Sequence, residues 1–331
     1  MSFLSKFQPL FIIVSAFAGI LIGKGIPFME QNAGKYIEFF LMFMLFFVFL
    51  NVNIKEISKS FSDLRFSVSA LLINFIFTPL FTFVLSKIFL SKQIDLQIGF
   101  IMLMVTPCTD WYLVFTGVAN GNVSLGASIL PLNLILQIIL LPVYLLLFMG
   151  TEISFEISII IHSILLVLII PLVTANMMKL IVNKINWKKH LDKLLEKADD
   201  IQFVLLCLAI ISMFASQGVL LLDNTILFIK LLPPLLLFFA IIFCISFFTG
   251  KLLNLPFQNT IPLIFTTSAR NSPVSLAIAI ITFPLQPVIS LVLVMGPLIE
   301  LPILAINSVI LKRIENKITN KARPPSVAGA L

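Results

Sequence analysis

The sequence has few charged residues: they fill only 11% of its 331 positions, against about 25% in ordinary soluble domains. Apolar residues make up 60% of the chain, and the mean hydropathy is +1.12. A chain with so little charge exposes apolar surface that water does not favour. Soluble globular and disordered proteins are therefore excluded as classes, and the lipid bilayer is the solvent that this composition requires.

Cysteine and histidine are also scarce, at three and two residues. Three cysteines exclude a disulfide scaffold, and no His/Cys cluster has the spacing of a metal site, so neither a metal nor a cofactor is expected. The phosphate-binding loop and the dinucleotide-binding glycine motif are missing, which excludes a self-contained ATP-driven pump. No nucleophile and base recur at a spacing that would let them meet, so an enzyme is not expected.

The net charge of +7 lies in short loops. There it orients a membrane protein and does not form a basic face for phosphates, so nucleic acid is not an expected partner. Most Lys and Arg residues fall on the side that would hold both termini. This distribution predicts a multi-pass protein of the inner (plasma) membrane with both termini in the cytoplasm.

What the sequence does contain is a series of apolar stretches, each close to the roughly 20 residues that one crossing needs. Continuous apolar runs without strand alternation indicate helices, because no backbone group can stay unpaired in lipid. The ten predicted spans are residues 8–26, 36–53, 66–90, 95–119, 122–149, 157–178, 201–221, 225–249, 256–282 and 285–311. The prediction is an all-α integral membrane protein with ten transmembrane helices.

The longest polar segment, 183–200, lies near the middle of the chain, where two duplicated halves of a carrier would be joined. Five spans per half would invert the second half relative to the first, which is the usual architecture of secondary carriers. The predicted units are spans 1–6 in residues 1–182, a cytoplasmic linker at 183–200, spans 7–10 in residues 201–312, and a cytoplasmic tail at 313–331. A plain amphipathic linker with no further role is the simplest interpretation of the segment.

Four ionisable residues lie inside predicted spans, where a charge costs at least about 2.5 kcal/mol. They are Asp110 in the fourth span, His162 in the sixth, Arg270 in the ninth and Glu300 in the tenth. His162 is near the interface, where water can satisfy it. Glu300 could pair with a neighbouring helix. Asp110 and Arg270 fall in corresponding spans of the two halves, and a purely structural ion pair between them is the alternative to a functional role.

The fourth and ninth spans are also interrupted, by Pro107 and by Pro273, each among hydroxyl and amide side chains. Proline removes a helix hydrogen bond, and two paired, interrupted, polar spans indicate a carrier's binding site at mid-depth. Cys108 lies at the first break, whereas Cys207 and Cys244 are interpreted as small apolar fillers. The fourth and ninth helices are thus predicted to be broken and to cross at the site.

These residues resemble the bile acid:sodium symporter superfamily, and within it the arsenite efflux permeases. Cys108 stands where the permeases have a helix-four cysteine implicated in arsenite recognition, and Gly121, Asn133 and Gln137 fit without a gap. Residues 296–302, GPLIELP, are similar to the permeases' G-P-L-V-E-V-P stretch. The resemblance implies a core of spans three to five and eight to ten, a panel of spans one, two, six and seven, and proton-driven efflux.

The sequence also departs from that family. Ser275 stands where the permeases carry a glutamate, and Arg270 is not part of their pattern. In the sodium-coupled branch, a Ser-Asn pair aligns with Tyr112-Leu113 and a helix-nine glutamate aligns with Thr266. The sodium sites are therefore not retained residue by residue.

The expected function is secondary transport by alternating access, with a small inorganic or organic anion, a proton or sodium, and the bilayer as partners. Efflux of arsenite or antimonite is the leading function, and uptake of a small organic anion with sodium or protons is the rival. A transporter-like sensor and a channel remain as alternatives. The expected substrate contacts are Cys108, Thr109, Asn133, Gln137, Arg270, Asn271 and Glu300, and the expected ion-coupling groups are Asp110 and Glu300.

Overall fold

The computed structural model describes residues 8–51, 63–109, 111–150, 157–184, 188–223 and 225–322. Within these ranges every regular element is a helix. In chain order the helices are α1 Gln8–Gly25, α2 Pro27–Asn32, α3 Gly34–Asn51, α4 Leu64–Leu72, a π-helix Ile73–Phe77, α5 Thr78–Leu90, α6 Ile94–Met104, α7 Trp111–Val118, α8 Val123–Met149, α9 Ile157–Lys184, α10 Lys188–Leu195, α11 Ala198–Asp223, α12 Thr225–Leu252, α13 Phe257–Ser268, α14 Ser272–Thr282 and α15 Pro287–Ala322.

Each predicted apolar stretch overlaps one of these helices or a consecutive group of them. Four continuous helical segments are long and apolar enough to cross a membrane by length and composition: Leu64–Leu90, Val123–Met149, Ile229–Leu252 and Pro287–Lys317. Shorter apolar helical segments of the described ranges are Ile13–Gly25, Ile94–Met104, Ile169–Val182, Asp200–Ser216 and Ser272–Thr282. α15 has 36 residues and continues past the predicted end of the tenth span, so the first part of the predicted tail is helical.

The polar segment, predicted as a linker after the sixth span, contains the short helix α10 and follows α9, which corresponds to that span. A division of the ten predicted spans into five and five therefore places the segment inside the second half and not between the halves.

The helices pack in two groups. α1, α3, α9 and α11 pack mainly on one another, while α4 to α8 and α12 to α15 form the other group. The groups meet where α14 contacts α3 and α9, and where α15 contacts α1.

Within the first group, α1 and α11 approach closely through Gly19 and Gly23, four residues apart on one face of α1. A Cβ atom on Gly23 would lie 2.2 Å from the carbonyl oxygen of Ala215, and one on Gly19 would lie 2.6 Å from that of Ile211. Small residues at this spacing let two helix backbones touch, which is how helices associate where lipid removes the hydrophobic driving force.

The second group has two interrupted helices at its centre. Every residue of α6 from Leu96 to Met104 is buried, and so is every residue of α13 from Thr260 to Ser268. A helix that is covered on all sides lies in the interior and not on a lipid-facing surface. The ends of these two half-helices are therefore enclosed by protein.

The π-helix is a local widening between α4 and α5. A π turn leaves some carbonyl groups without their usual helical donors, and here the hydroxyl of Tyr144 on α8 donates to the carbonyl of Phe75 over 2.6 Å. The widened turn includes Asn74, which is fully buried. Asn74 faces the interrupted helices through the contacts described below.

Candidate functional site

The two interrupted helices are joined to each other by main-chain hydrogen bonds at their breaks. The N–H of Cys108 donates to the carbonyl of Ala269 over 2.9 Å, and the N–H of Asn271 donates to the carbonyl of Thr106 over 2.7 Å. Pro107 and Arg270 face each other as an isolated antiparallel bridge. The predicted breaks in the fourth and ninth spans are thus present, and the two breaks contact each other.

Local sequence explains where each half-helix ends and begins. At the end of α6 the Thr106 hydroxyl bonds back to the Met102 carbonyl at 3.0 Å, and Pro107, which follows, has no N–H to continue the helix. The side chain of Asn271 accepts from the N–H of Val274 over 3.3 Å and caps α14. Pro273 sits in the first turn of α14, where no helical donor is needed.

Arg270 lies at the break after α13 and is only 1% exposed. Its Nε donates to the carbonyl of Ser268 at 3.1 Å and its Nη1 to that of Met104 at 2.7 Å. Its Nη2 donates to Asn74 Oδ1 at 3.3 Å and to the carbonyl of Thr267. Four donor positions of the guanidinium are therefore directed at protein oxygens.

The place where the two breaks contact each other is the crossing of the two interrupted helices. Glu300, on α15, is the acidic residue of the described ranges that contacts this crossing. Its Oε1 accepts from the backbone N–H of Arg270 over 2.9 Å. Its Oε2 is buried and has no hydrogen-bond partner in the described part of the protein. A buried acceptor without a partner is costly, so such an oxygen indicates a place where water, a proton or a ligand binds.

Hydrogen bonds from two asparagine side chains to Thr266 connect the crossing to α8. Asn74 Nδ2 donates to the carbonyl of Thr266 at 3.2 Å, and Asn133 Nδ2 donates to the Thr266 hydroxyl at 3.0 Å. Asn133 Oδ1 and both amide atoms of Gln137, one turn further along α8, are buried and have no partner among the described residues. The Ser268 hydroxyl at the end of α13 is likewise buried and has no hydrogen-bond partner among the described residues.

The remaining predicted residues line the first break. Cys108 and Thr109 are both buried, at 5% and 1% exposure. Asn271 Nδ2 lies 3.5 Å from the Thr109 hydroxyl, which ties the two breaks together through side chains as well. Asp110 lies outside the described residues, and so does the side chain of His162.

The structure thus brings Cys108, Thr109, Arg270, Asn271 and Glu300 to one crossing, and it connects Asn133 to that crossing through Thr266. Gln137 is buried one turn from Asn133 along α8, and no hydrogen bond joins it to the crossing among the described residues. Two further residues, Asn74 and Thr266, belong to the network although the sequence analysis did not select them as site residues. A lone amide inside the apolar run Ile73–Phe77 was the available signal for Asn74.

Ser275, the departure from the permease pattern, is part of the packing between α6 and α14. Its hydroxyl lies 2.8 Å from that of Thr106 and donates to the Met102 carbonyl at 2.9 Å. The position is buried and filled by hydroxyl contacts, so it carries no carboxylate toward the crossing.

The chain is similar in sequence to a known family and to several known proteins. The model of the Sodium Bile acid symporter family matches residues 38–224. The Arsenical-resistance protein Acr3 of Corynebacterium glutamicum is 25% identical over 92% of this chain and 87% of its own length. The protein of the same name from Alkaliphilus metalliredigens is 21% identical over 91% of this chain and 90% of its own length. An uncharacterized transporter of Synechocystis sp. is 21% identical over 90% of this chain and 86% of its own length.

The family match spans more than half of the chain, and the apolar helices described above agree with a protein that crosses the membrane several times. The chain therefore belongs to the Sodium Bile acid symporter family and is a multi-pass membrane transporter, not an enzyme.

Proposed function

We propose that this transporter exports arsenite or antimonite in exchange for protons, by alternating access at the crossing of α6–α7 with α13–α14. The observation that carries the proposal is a set of three buried acceptor oxygens with no partner among the described residues: Glu300 Oε2, Asn133 Oδ1 and Gln137 Oε1. Two relatives that cover nearly the whole chain bear the name Arsenical-resistance protein Acr3, which supports the same substrate.

The chemistry of these atoms favours a neutral hydroxy acid over an anion. Arsenous acid is uncharged at neutral pH and carries three O–H donors, which suit three unpaired acceptors. A carboxylate substrate brings only acceptors; it could accept from Gln137 Nε2 and the Ser268 hydroxyl, but it would leave the three acceptor oxygens without donors. Thr109 and Asn271 add a hydroxyl and an amide at the crossing, and Cys108 adds a sulfur, the ligand type that soft elements prefer.

The proposed architecture has ten spans in two inverted halves. In each half a broken helix, α6–α7 or α13–α14, precedes a long helix with two prolines in its interior, α8 or α15. Asn133 follows Pro131 in α8, and Glu300 follows Pro297 in α15, so the unpaired oxygens occupy similar places in the two halves. This correspondence supports the inverted repeat.

Transport would proceed by movement of a core, spans three to five and eight to ten, against a panel, spans one, two, six and seven. The mutual packing of α1, α3, α9 and α11 supports this division, because among the described residues the main contacts between the groups are those of α14 and α15. The distribution of basic residues supports a plasma-membrane location with both termini in the cytoplasm.

Proton coupling is assigned to two carboxylates, Asp110 and Glu300. A buried carboxylate can either hold a proton or accept hydrogen bonds from the substrate, and alternation between the two links the two fluxes. Glu300 fits this role because one oxygen is held by the Arg270 N–H while the other is unpaired.

Replacement of Cys108 by alanine is expected to lower arsenite flux at least about tenfold, the equivalent of about 1.4 kcal/mol of lost substrate interaction. The measurement is arsenite and antimonite transport into everted proteoliposomes under an imposed pH gradient. Cys244→Ala is the matched control, because Cys244 is exposed on α12 whereas Cys108 is buried. Equal loss in both variants, or no loss in Cys108→Ala, would remove the thiol from the site.

Asp110→Asn is expected to abolish the response of arsenite flux to the pH gradient, because asparagine cannot take up and release a proton. Downhill arsenite exchange should continue, since the side chain keeps its size. The comparison of flux with and without the gradient is the measurement. Full proton-driven flux in this variant would leave Glu300 as the coupling group and would reject the role of Asp110.

The same vesicles test the rival function. A panel of small organic anions, with sodium or proton gradients, should give no concentrative uptake by the wild type. Uptake of an organic anion without arsenite flux would place the protein with the symporters and reject the proposed function.

A further inference from the structure

The surroundings of the Arg270 guanidinium are those of a cation site made of oxygen ligands. Three of its acceptors are main-chain carbonyls, from Met104 at the end of α6 and from Thr267 and Ser268 at the end of α13. The fourth is the side-chain carbonyl of Asn74 in the π-helix. In secondary carriers, carbonyls at the ends of broken helices coordinate the coupling cation. Here a covalently attached cation occupies such a position.

The negative partial charge of two helix ends meets the guanidinium at this position, and Glu300 lies nearby, with Oε1 on the Arg270 backbone N–H. The C-terminus of a helix carries about half a negative charge, and α6 and α13 both end at Arg270. Two such ends are equivalent to about one negative charge, which one guanidinium neutralises. The ring of Phe238 covers the cation at 5.3 Å from Cζ, so the arginine is enclosed as well as paired.

The same contacts argue against a role of Arg270 as a clamp for an anionic substrate. The printed bonds use four of the five N–H donors, so an anion could use only one Nη1 N–H unless it displaced bonds to the carbonyls of Met104, Thr267 or Ser268, and each displaced carbonyl would be left buried without that donor. The side chain is therefore oriented toward the scaffold. Its backbone N–H, not its guanidinium, is the part that contacts Glu300.

We propose that Arg270 is a built-in substitute for a coupling cation, which makes transport by this protein independent of sodium. Removal of the side chain would then turn the four oxygens into a site for a free monovalent cation. The inference rests on the proposed function only for its transport measurement, because the binding measurement needs no substrate.

The binding measurement compares thermal unfolding of purified wild type, Arg270→Ala and Arg270→Lys in sodium, potassium, guanidinium and N-methylglucamine chloride at constant ionic strength. Arg270→Ala is expected to be destabilised, and millimolar guanidinium or sodium should recover several degrees of that loss in a saturable manner. Wild type should show no such saturable gain. Arg270→Lys, which retains a cation, should lie between the two.

Lys179→Ala is the matched control. Lys179 on α9 also donates to a carbonyl, that of Phe49 on α3 at 3.0 Å, but it belongs to the first group of helices and not to the interrupted ones. Its removal is expected to create no saturable response to sodium or guanidinium. An equal response in Arg270→Ala and Lys179→Ala would overturn the proposal.

The wild type itself provides a second test, which stands even if Arg270→Ala does not fold. Its flux should be the same when sodium is replaced by N-methylglucamine, and a saturable sodium requirement would overturn the proposal. Absence of arsenite flux would reject the proposed function but would leave the unfolding results, and hence the cation substitute, intact. If Arg270→Ala folds and cations do not stabilise it, the cation substitute is rejected and the proposed function is left intact.

Discussion

Glu300→Gln is expected to reduce uphill arsenite transport at least about 100-fold, while downhill exchange falls far less. Glutamine keeps the oxygen that accepts from the Arg270 N–H, so the crossing should stay intact. It removes the titrating group, and the loss of a hydrogen bond to a charged acceptor is worth up to about 3 kcal/mol.

The measurement for Glu300→Gln is arsenite accumulation in everted proteoliposomes with and without a pH gradient. Glu315→Gln is the control: Glu315 is also buried on α15, but it accepts from Asn120 at 3.3 Å, away from the breaks. It should transport like the wild type. If Glu300→Gln still accumulates arsenite against its gradient, the coupling group is not Glu300.

Gly23→Ala is expected to lower the unfolding temperature by about 5 °C or more. Its Cβ would meet the carbonyl oxygen of Ala215 at 2.2 Å and the Ala215 Cα at 3.0 Å. Both atoms are backbone, so the contact can be relieved only if α1 moves away from α11. Overpacking of this kind costs about 1–3 kcal/mol, which corresponds to several degrees in a protein of this size.

Gly25→Ala on the same helix separates packing from backbone effects. A Cβ at Gly25 has no atom within 4 Å, so this variant should unfold within about 1 °C of the wild type, helped slightly by the higher helix propensity of alanine. Thermal unfolding in one detergent, with both variants and wild type side by side, is the measurement. Equal stability of the two variants would show that α1 and α11 do not rely on the contact at Gly23.

Composition and proline positions were enough to predict the helical class and the two interruptions. A membrane helix must be apolar throughout, so its extent is visible in any sequence. Pro107 and Pro273, each beside hydroxyl and amide groups, marked the breaks that the structure contains. The π-helix was not predicted, although Pro79 follows it by two residues, because a π turn has the same apolar composition as the α-helix around it.

The side-chain partners could not be predicted from the sequence. An ion pair of Arg270 with Asp110 was one interpretation, since the two lie in corresponding spans. The contacts found for Arg270 are carbonyls at two helix ends and Asn74, which is 196 positions away. Such contacts depend on how four elements meet. The sequence pattern indicates that a charged side chain is buried, but it does not indicate which groups form hydrogen bonds with that side chain.

The main-chain bonds between the two breaks have a consequence for how substrate preference can diverge. Cys108 and Asn271 donate through their backbone N–H groups, and Ala269 and Thr106 accept through their carbonyls. These bonds do not depend on which side chains the residues carry. The backbone geometry of the crossing can therefore stay the same while neighbouring side chains are exchanged. A laboratory selection for a new solute could therefore vary Cys108 and Thr109 freely, and successful variants should keep the same backbone geometry.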